Sequence, residues 1–176
     1  MSKSPGTPKV ANLHDLLAVA YQIEIDAVDR YNLLADQMET HNNPELVKVF
    51  RDLARAESIH GEEIRRMAGD FDVAAHARQI AKFEHSDSPE EAELGAAHYL
   101  MTPWHALQLS LAGEKRALAY FTSIVETTKD PKVKEMAAEL VEEEAEHVSL
   151  VHRLLRRYPK PSDSWADDLD PPVSQE

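Results

Sequence analysis

The chain has 176 residues, a formal net charge of -13 at pH 7 and no cysteine. This acidic balance argues against a nucleic-acid partner, whose phosphates need a basic face, and against an anionic membrane surface. The lack of cysteine excludes disulfides, zinc–thiolate sites and cysteine-ligated iron centres. The length suits one domain with a real core, and the first residues, MSKSPGTPKV, lack an apolar signal core, so we expect a cytoplasmic protein.

The predicted elements are all helical. Residues 1–11 are predicted to be disordered, and a first long helix covers 12–40. A capping residue followed by proline marks four helix starts, because the capping side chain binds a free backbone amide and proline has no amide to leave unpaired. These pairs are Asn43-Pro44, Ser88-Pro89, Thr102-Pro103 and Asp130-Pro131. They predict further long helices over 44–68, 103–128 and 131–157, and a crossover over 69–102 with short helices near 72–84 and 89–99.

This order of elements predicts the fold. Two long helices, a long crossover and two more long helices are typical of an all-α four-helix bundle with one crossover connection, here over residues 12–158. The crossover is long enough for the two helical hairpins to come from one chain or to be exchanged between two chains. Residues 159–176 form an acidic, proline-rich tail, which we expect to be poorly ordered or to lie along a surface.

Each long helix carries one glutamate near the middle of its apolar stripe. Stepping by three and four residues along the fourth helix leads from Leu140 through Glu144 and His147 to Val151. The neighbouring Glu142, Glu143 and Glu146 are therefore assigned to the solvated face. The same steps predict the inward faces of the other long helices, and on the second helix that face ends at Met67. Across the four helices the predicted inward polar residues are Glu24, Glu57, His60, Glu114, Glu144 and His147.

Four carboxylates inside one core repel one another and are costly to bury. Two divalent cations would neutralise them, and carboxylate with imidazole suits iron or manganese. One Glu from each of two helices, with Glu-x-x-His from each of the other two, is the arrangement found in di-iron and di-manganese carboxylate proteins. The alternatives are glutamates at the surface near a helix seam and histidines that are ordinary hydrogen-bonded core residues.

The motifs resemble the ferritin-like superfamily, most closely its rubrerythrin and bacterioferritin branches. The first long helix reads Glu24-Ile-Asp-Ala27-Val-Asp-Arg-Tyr31, similar to the rubrerythrin motif E-x-x-A-x-x-x-Y, and the third repeats it from Glu114 to Phe121. The resemblance implies a ferritin-like bundle with two iron ions, manganese being possible, held by the six residues above. It also implies that Tyr31 hydrogen-bonds a ligand carboxylate and that the protein is a homodimer.

Three features depart from the family pattern. Rubrerythrins typically carry a second glutamate on the third long helix, where this chain has Ala117. The cysteine-ligated rubredoxin domain is absent. Ser58 stands where bacterioferritins place a haem-ligating methionine. The ligand set therefore resembles a bacterioferritin-type centre on a rubrerythrin-like chain.

The resemblance implies a non-haem di-iron oxidoreductase of ferroxidase or peroxidase type. It would bind and oxidise Fe(II) and reduce dioxygen or hydrogen peroxide, with electrons from free Fe(II) or an unknown separate donor. We expect no nucleic-acid or membrane partner. One alternative is iron or manganese sequestration with little turnover, and another is a purely structural helical interaction module.

Overall fold

We describe the protein from a computed structural model, which describes residues 8–81 and 102–162. These residues form five α-helices and no strand. The helices are α1 (Leu13–Thr40), α2 (Pro44–Ala68), α3 (Val73–Ile80), α4 (Pro103–Thr127) and α5 (Pro131–Leu155). The four long helices thus match the predicted ones to within a few residues, and the all-α prediction is confirmed.

The starts of α2, α4 and α5 lie where the capping residues predicted them. The side chain of Asn12 accepts a hydrogen bond from the Asp15 amide at 3.0 Å, so α1 begins one residue later than predicted, because Asn12 is its cap. Asn43 accepts from the Leu46 amide at 3.1 Å, and Asp130 accepts from the Lys132 amide at 2.8 Å. The Ser88-Pro89 start and the predicted helix at 89–99 lie outside the described residues.

The long helices pair into two hairpins, α1 with α2 and α4 with α5, and α3 packs against α1. One apolar cluster joins the start of α1, the ends of α2 and α4, and the start of α5. A second cluster joins the later part of α1, the start of α2, the start of α4 and the end of α5. Helices α1 and α5 therefore run in one direction and α2 and α4 in the other, as a bundle with one long crossover requires.

The predicted inward faces of α1 and α4 are buried along their whole length. On α2 the prediction is wrong at Met67, whose exposed fraction is 55%. From Glu57 the buried face continues through Gly61, Ile64 and Ala68, because steps of four, three and four residues follow the 3.6-residue turn more closely there. This phase leaves His60 at the edge of the face, where it is partly exposed.

The last residues of the predicted disordered N-terminus lie against the bundle. Val10 packs on the first apolar cluster, and the Tyr120 hydroxyl donates to the Pro8 carbonyl oxygen at 3.1 Å. Most of the predicted acidic tail, 163–176, lies outside the described residues. Within the described ranges, no helix combines the length and the apolar character that a bilayer crossing needs.

Candidate metal centre

A layer of four buried carboxylates lies between the two apolar clusters. Each long helix contributes one of them, and the exposed fractions are 3% for Glu24, 2% for Glu57, 2% for Glu114 and 6% for Glu144. The clusters above and below this layer are made of aliphatic and aromatic side chains. Such burial of carboxylates needs compensating charge, since an isolated ionised group in a core is strongly unfavourable.

Glu57 occupies the middle of the layer. Its Oε2 lies 3.4 Å from Nδ1 of His60, and its Oε1 lies 3.2 Å from Nδ1 of His147. The two imidazole rings are nearly parallel, with centroids 5.6 Å apart. The two oxygens of one carboxylate thus face two different histidines, which is the geometry of a carboxylate that bridges two positions.

Potential ligand atoms gather on both sides of Glu57. Glu114, Glu144 and His147 form one triad, and Oε2 of Glu114 lies 3.3 Å from Nδ1 of His147. Glu24, His60 and Glu143 form another, and Oε2 of Glu24 lies 3.9 Å from Nδ1 of His60. All six predicted ligand residues are therefore brought together in one site.

Glu143 corrects the sequence interpretation. The spacing on the fourth long helix predicts that it lies on the solvated face, but it is only partly exposed and offers an oxygen within 4.8 Å of ligand atoms of Glu24 and His60. Glu143 comes one residue before the inward Glu144 on α5, so its long side chain can reach the border of the buried face. His60 lies at the same border on α2 and is therefore within its reach. Proximity to Glu144 was the only signal in the sequence.

Arg30 is a second residue that the sequence interpretation missed. Its exposed fraction is 3%, and its Nη2 donates to Oε1 of Glu114 at 2.8 Å. The Tyr31 hydroxyl donates to the same oxygen and lies 3.0 Å from Oγ of Ser110. The expected hydrogen bond from Tyr31 to an inward carboxylate is therefore present, and Arg30 adds a positive charge to it. The available signal was its spacing, three residues after the buried Ala27.

Comparisons with known proteins identify the family of this chain. The rubrerythrin family model matches residues 15–98. The solved structure of an uncharacterized conserved protein from Magnetospirillum magnetotacticum MS-1 is 36% identical, covers 86% of this chain and 98% of that chain, and superposes with a TM-score of 0.70. This chain belongs to the rubrerythrin family. No curated protein matches it.

Membership of the rubrerythrin family implies a di-iron carboxylate site, and the residues present fit two metal ions. Oε1 of Glu57 and Nδ1 of His147 are buried, lack a hydrogen-bond partner and face each other at 3.2 Å. Both atoms are good metal ligands, and a cation between them would satisfy both. The four inward carboxylates and Glu143 carry five negative charges when ionised, and the Arg30 guanidinium carries one positive charge. The net charge of about -4 would be balanced by two divalent ions.

Burial and neighbouring charges shift the pKa values of three carboxyl groups in this rubrerythrin-family site. Burial, with repulsion from Glu57, raises the pKa of Glu24 well above its usual value. Burial, with repulsion from Glu114 and Glu57, does the same to the pKa of Glu144. For Glu114, burial acts upward, but contacts with His147 and Arg30 outweigh it and lower its pKa. The raised pKa values of Glu24 and Glu144 favour the protonated forms of these two carboxyl groups, and a metal ion bound there would favour the ionised forms.

The departure from the rubrerythrin pattern at Ala117 lies inside the site. Ala117 is 4% exposed and lines a small cavity together with Arg30 and the four inward carboxylates. The second glutamate of typical rubrerythrins would enter this cavity. Here the cavity holds a small methyl group and a guanidinium instead.

Proposed function

We propose that the chain binds two iron ions in this site and acts as an oxidoreductase, oxidising Fe(II) and reducing dioxygen or hydrogen peroxide. The observation that carries the proposal is the position of Glu57, whose two oxygens face His60 at 3.4 Å and His147 at 3.2 Å. A carboxylate between two imidazoles divides the site into two metal positions. A single-metal site would not need this symmetry.

The placement of the side chains supports a role for each of them. Glu57 and Glu144 would bridge the two positions, and Glu24 and Glu114 would be carboxylate ligands at either side. His60 and His147 would be terminal ligands through Nδ1, the ring atom that faces the carboxylates in each case. Tyr31 holds Glu114 in place through its hydroxyl. Bound iron would supply the electron transfer to the oxidant.

The surroundings suit redox chemistry that must be kept from bulk water. The apolar clusters cover both ends of the carboxylate layer. His60, with 23% of its side chain exposed, and His147, with 14%, are more open to solvent than the four inward carboxylates, whose side chains the bundle covers. Small species such as Fe(II), dioxygen or peroxide fit such a restricted approach. Electrons would come from free Fe(II) or from a separate donor, and a homodimer in the cytoplasm remains our expectation.

The test begins with anaerobic titration of the metal-free protein with Fe(II). We expect about two irons per chain, followed on addition of dioxygen or peroxide by the optical band of an oxo-bridged ferric pair. Glu144→Gln should lose at least one of the two irons, because Glu144 is 6% exposed and in contact range of Glu114 and His147. Glu142→Gln, an exposed neighbour on α5, is the matched control and should bind as the wild type does.

The outcomes separate the alternatives. Failure of the wild type to bind iron or manganese stoichiometrically would overturn the metal site and leave a structural helical module. Stoichiometric binding with negligible consumption of either oxidant would identify a sequestration protein. A faster reaction with one oxidant than with the other would identify the substrate.

A further inference from the structure

We propose that Arg30 is a positioning residue that biases the metal pair toward its reduced state, by holding Glu114 through one oxygen and by placing a permanent positive charge in the site. This inference rests on the proposed di-iron function. It concerns a residue that neither the motif nor the ligand set contains.

Arg30 and Tyr31 both contact the same oxygen of Glu114. Its Oε1 receives Nη2 of Arg30 at 2.8 Å and the hydroxyl of Tyr31. Its Oε2 lies on the other side, 3.3 Å from Nδ1 of His147. With one oxygen occupied by two donors, Glu114 can offer a metal only the other. Arg30 and Tyr31 therefore fix Glu114 as a one-oxygen ligand and prevent it from swinging.

Arg30 also places a permanent positive charge in the site. A guanidinium stays protonated at every physiological pH, so Arg30 cannot shed its charge as a buried lysine or histidine would. Its exposed fraction of 3% limits screening by solvent. Arg30 also stacks over the ring of Tyr31, with its central carbon 4.8 Å from the ring centroid, which holds the charge in place.

The charge of Arg30 lies close to the proposed metal positions. Arg30 lines the same small cavity as Glu24, Glu57, Glu114 and Glu144. A positive charge this close opposes a trivalent ion more than a divalent one, because the repulsion scales with the charge of the ion. Ala117, in the same cavity, brings no carboxylate to offset the effect. Arg30 thus favours the ferrous form over the ferric form.

The experiment compares Arg30→Gln and Arg30→Lys by redox titration of the iron-loaded protein, followed optically. Gln keeps a hydrogen-bond donor for Glu114 and removes the charge, whereas Lys keeps the charge. We expect Arg30→Gln to raise the ferric-to-ferrous ratio at fixed potential by roughly tenfold or more. Tenfold corresponds to a midpoint about 59 mV lower for a one-electron couple. Arg30→Lys should stay within about threefold of the wild type, since the charge is retained.

Controls keep the result interpretable. Arg55→Gln, an exposed arginine on α2, should leave the midpoint unchanged. If Arg30→Gln does not fold, as judged by circular dichroism, Arg30→Met keeps the aliphatic stem and removes the same charge. Equal midpoints in the wild type and the neutral variant, with two irons bound in both, would overturn the role of Arg30 and leave the di-iron function standing. Absence of iron binding in the wild type would instead overturn the function itself.

Discussion

Replacing Glu57 by glutamine tests the site at its centre. Glutamine has the shape of glutamate but no charge, so it fits a side chain that is 2% exposed without leaving a void. It removes the negative charge from the position where two imidazole nitrogens lie at 3.4 Å and 3.2 Å. We expect Glu57→Gln to fold and to lose the stabilisation that metal gives to the wild type.

The size of this effect follows from linkage. A ligand that binds only the folded state stabilises it by about 2.7 kcal/mol when its free concentration is 100 times its dissociation constant. For a domain of this size, 1 kcal/mol moves Tm by roughly 2–4 °C. Saturating Mn(II) should therefore raise the Tm of the wild type by roughly 5–10 °C or more. Without metal, the variant should lie within about 1 kcal/mol of the wild type, because the lost histidine contacts are offset by weaker carboxylate repulsion.

The assay is thermal unfolding followed by circular dichroism, with chelator and with excess Mn(II), which avoids redox chemistry. Glu62→Gln is the matched control, since it is an exposed glutamate on the same helix. It should show the full metal-dependent rise in Tm. An equal rise in Glu57→Gln would refute the reasoning, because it would mean that the metal binds elsewhere.

Three further predictions concern the surroundings of the site and the frame of the bundle. Tyr31→Phe removes the hydroxyl that contacts Glu114 and Ser110, and urea unfolding of the metal-free protein should show a loss of about 1–2 kcal/mol, with two metals still bound by elemental analysis. Burial acts to raise the pKa of Asp15, but hydrogen bonds from His76 at 2.7 Å and from the Ala11 amide outweigh it and lower the pKa. Since a lowered folded-state pKa stabilises above the unfolded value of 3.8, Asp15→Asn should cost about 0.5–1 kcal/mol at pH 7. That difference from the wild type should disappear in urea titrations as the pH falls through and below this value, and a constant difference would contradict it. Asn43→Ala removes the cap of α2 and should lower the free energy of unfolding by about 1 kcal/mol, with metal content unchanged.

The features that the sequence predicted well depend on local spacing. Asn43 and Asp130 accept backbone hydrogen bonds where a cap before proline required them. Glu24 and Glu114 lie inside because three- and four-residue steps return to the same helix face within a few turns. The same rule failed at Met67, near the end of a long helix, because a small error in phase accumulates with each turn.

The features that were missed depend on contacts between helices. Arg30 is buried beside Glu114, its partner far away in the sequence. Its spacing from Ala27 within α1 could indicate an inward position but not this partner. Glu143 approaches Glu24 and His60 only because α5 packs with its edge toward them. Charge balance could have indicated that Arg30 is buried. Four inward carboxylates need compensating positive charge, and an arginine on one of the same helices is a candidate for it.

The carboxylate layer also explains why the bundle and the site cannot be considered separately. The four inward carboxylates lie between the two apolar clusters and repel one another when ionised. In the metal-free protein, raised pKa values at Glu24 and Glu144 and the ion pair of Arg30 with Glu114 reduce that repulsion. Metal ions at the proposed site would neutralise the carboxylates and join the four helices through one centre. Because α1, α2, α4 and α5 each give one carboxylate, any motion that separates the two hairpins would also break the site. We therefore expect metal affinity and bundle stability to rise and fall together.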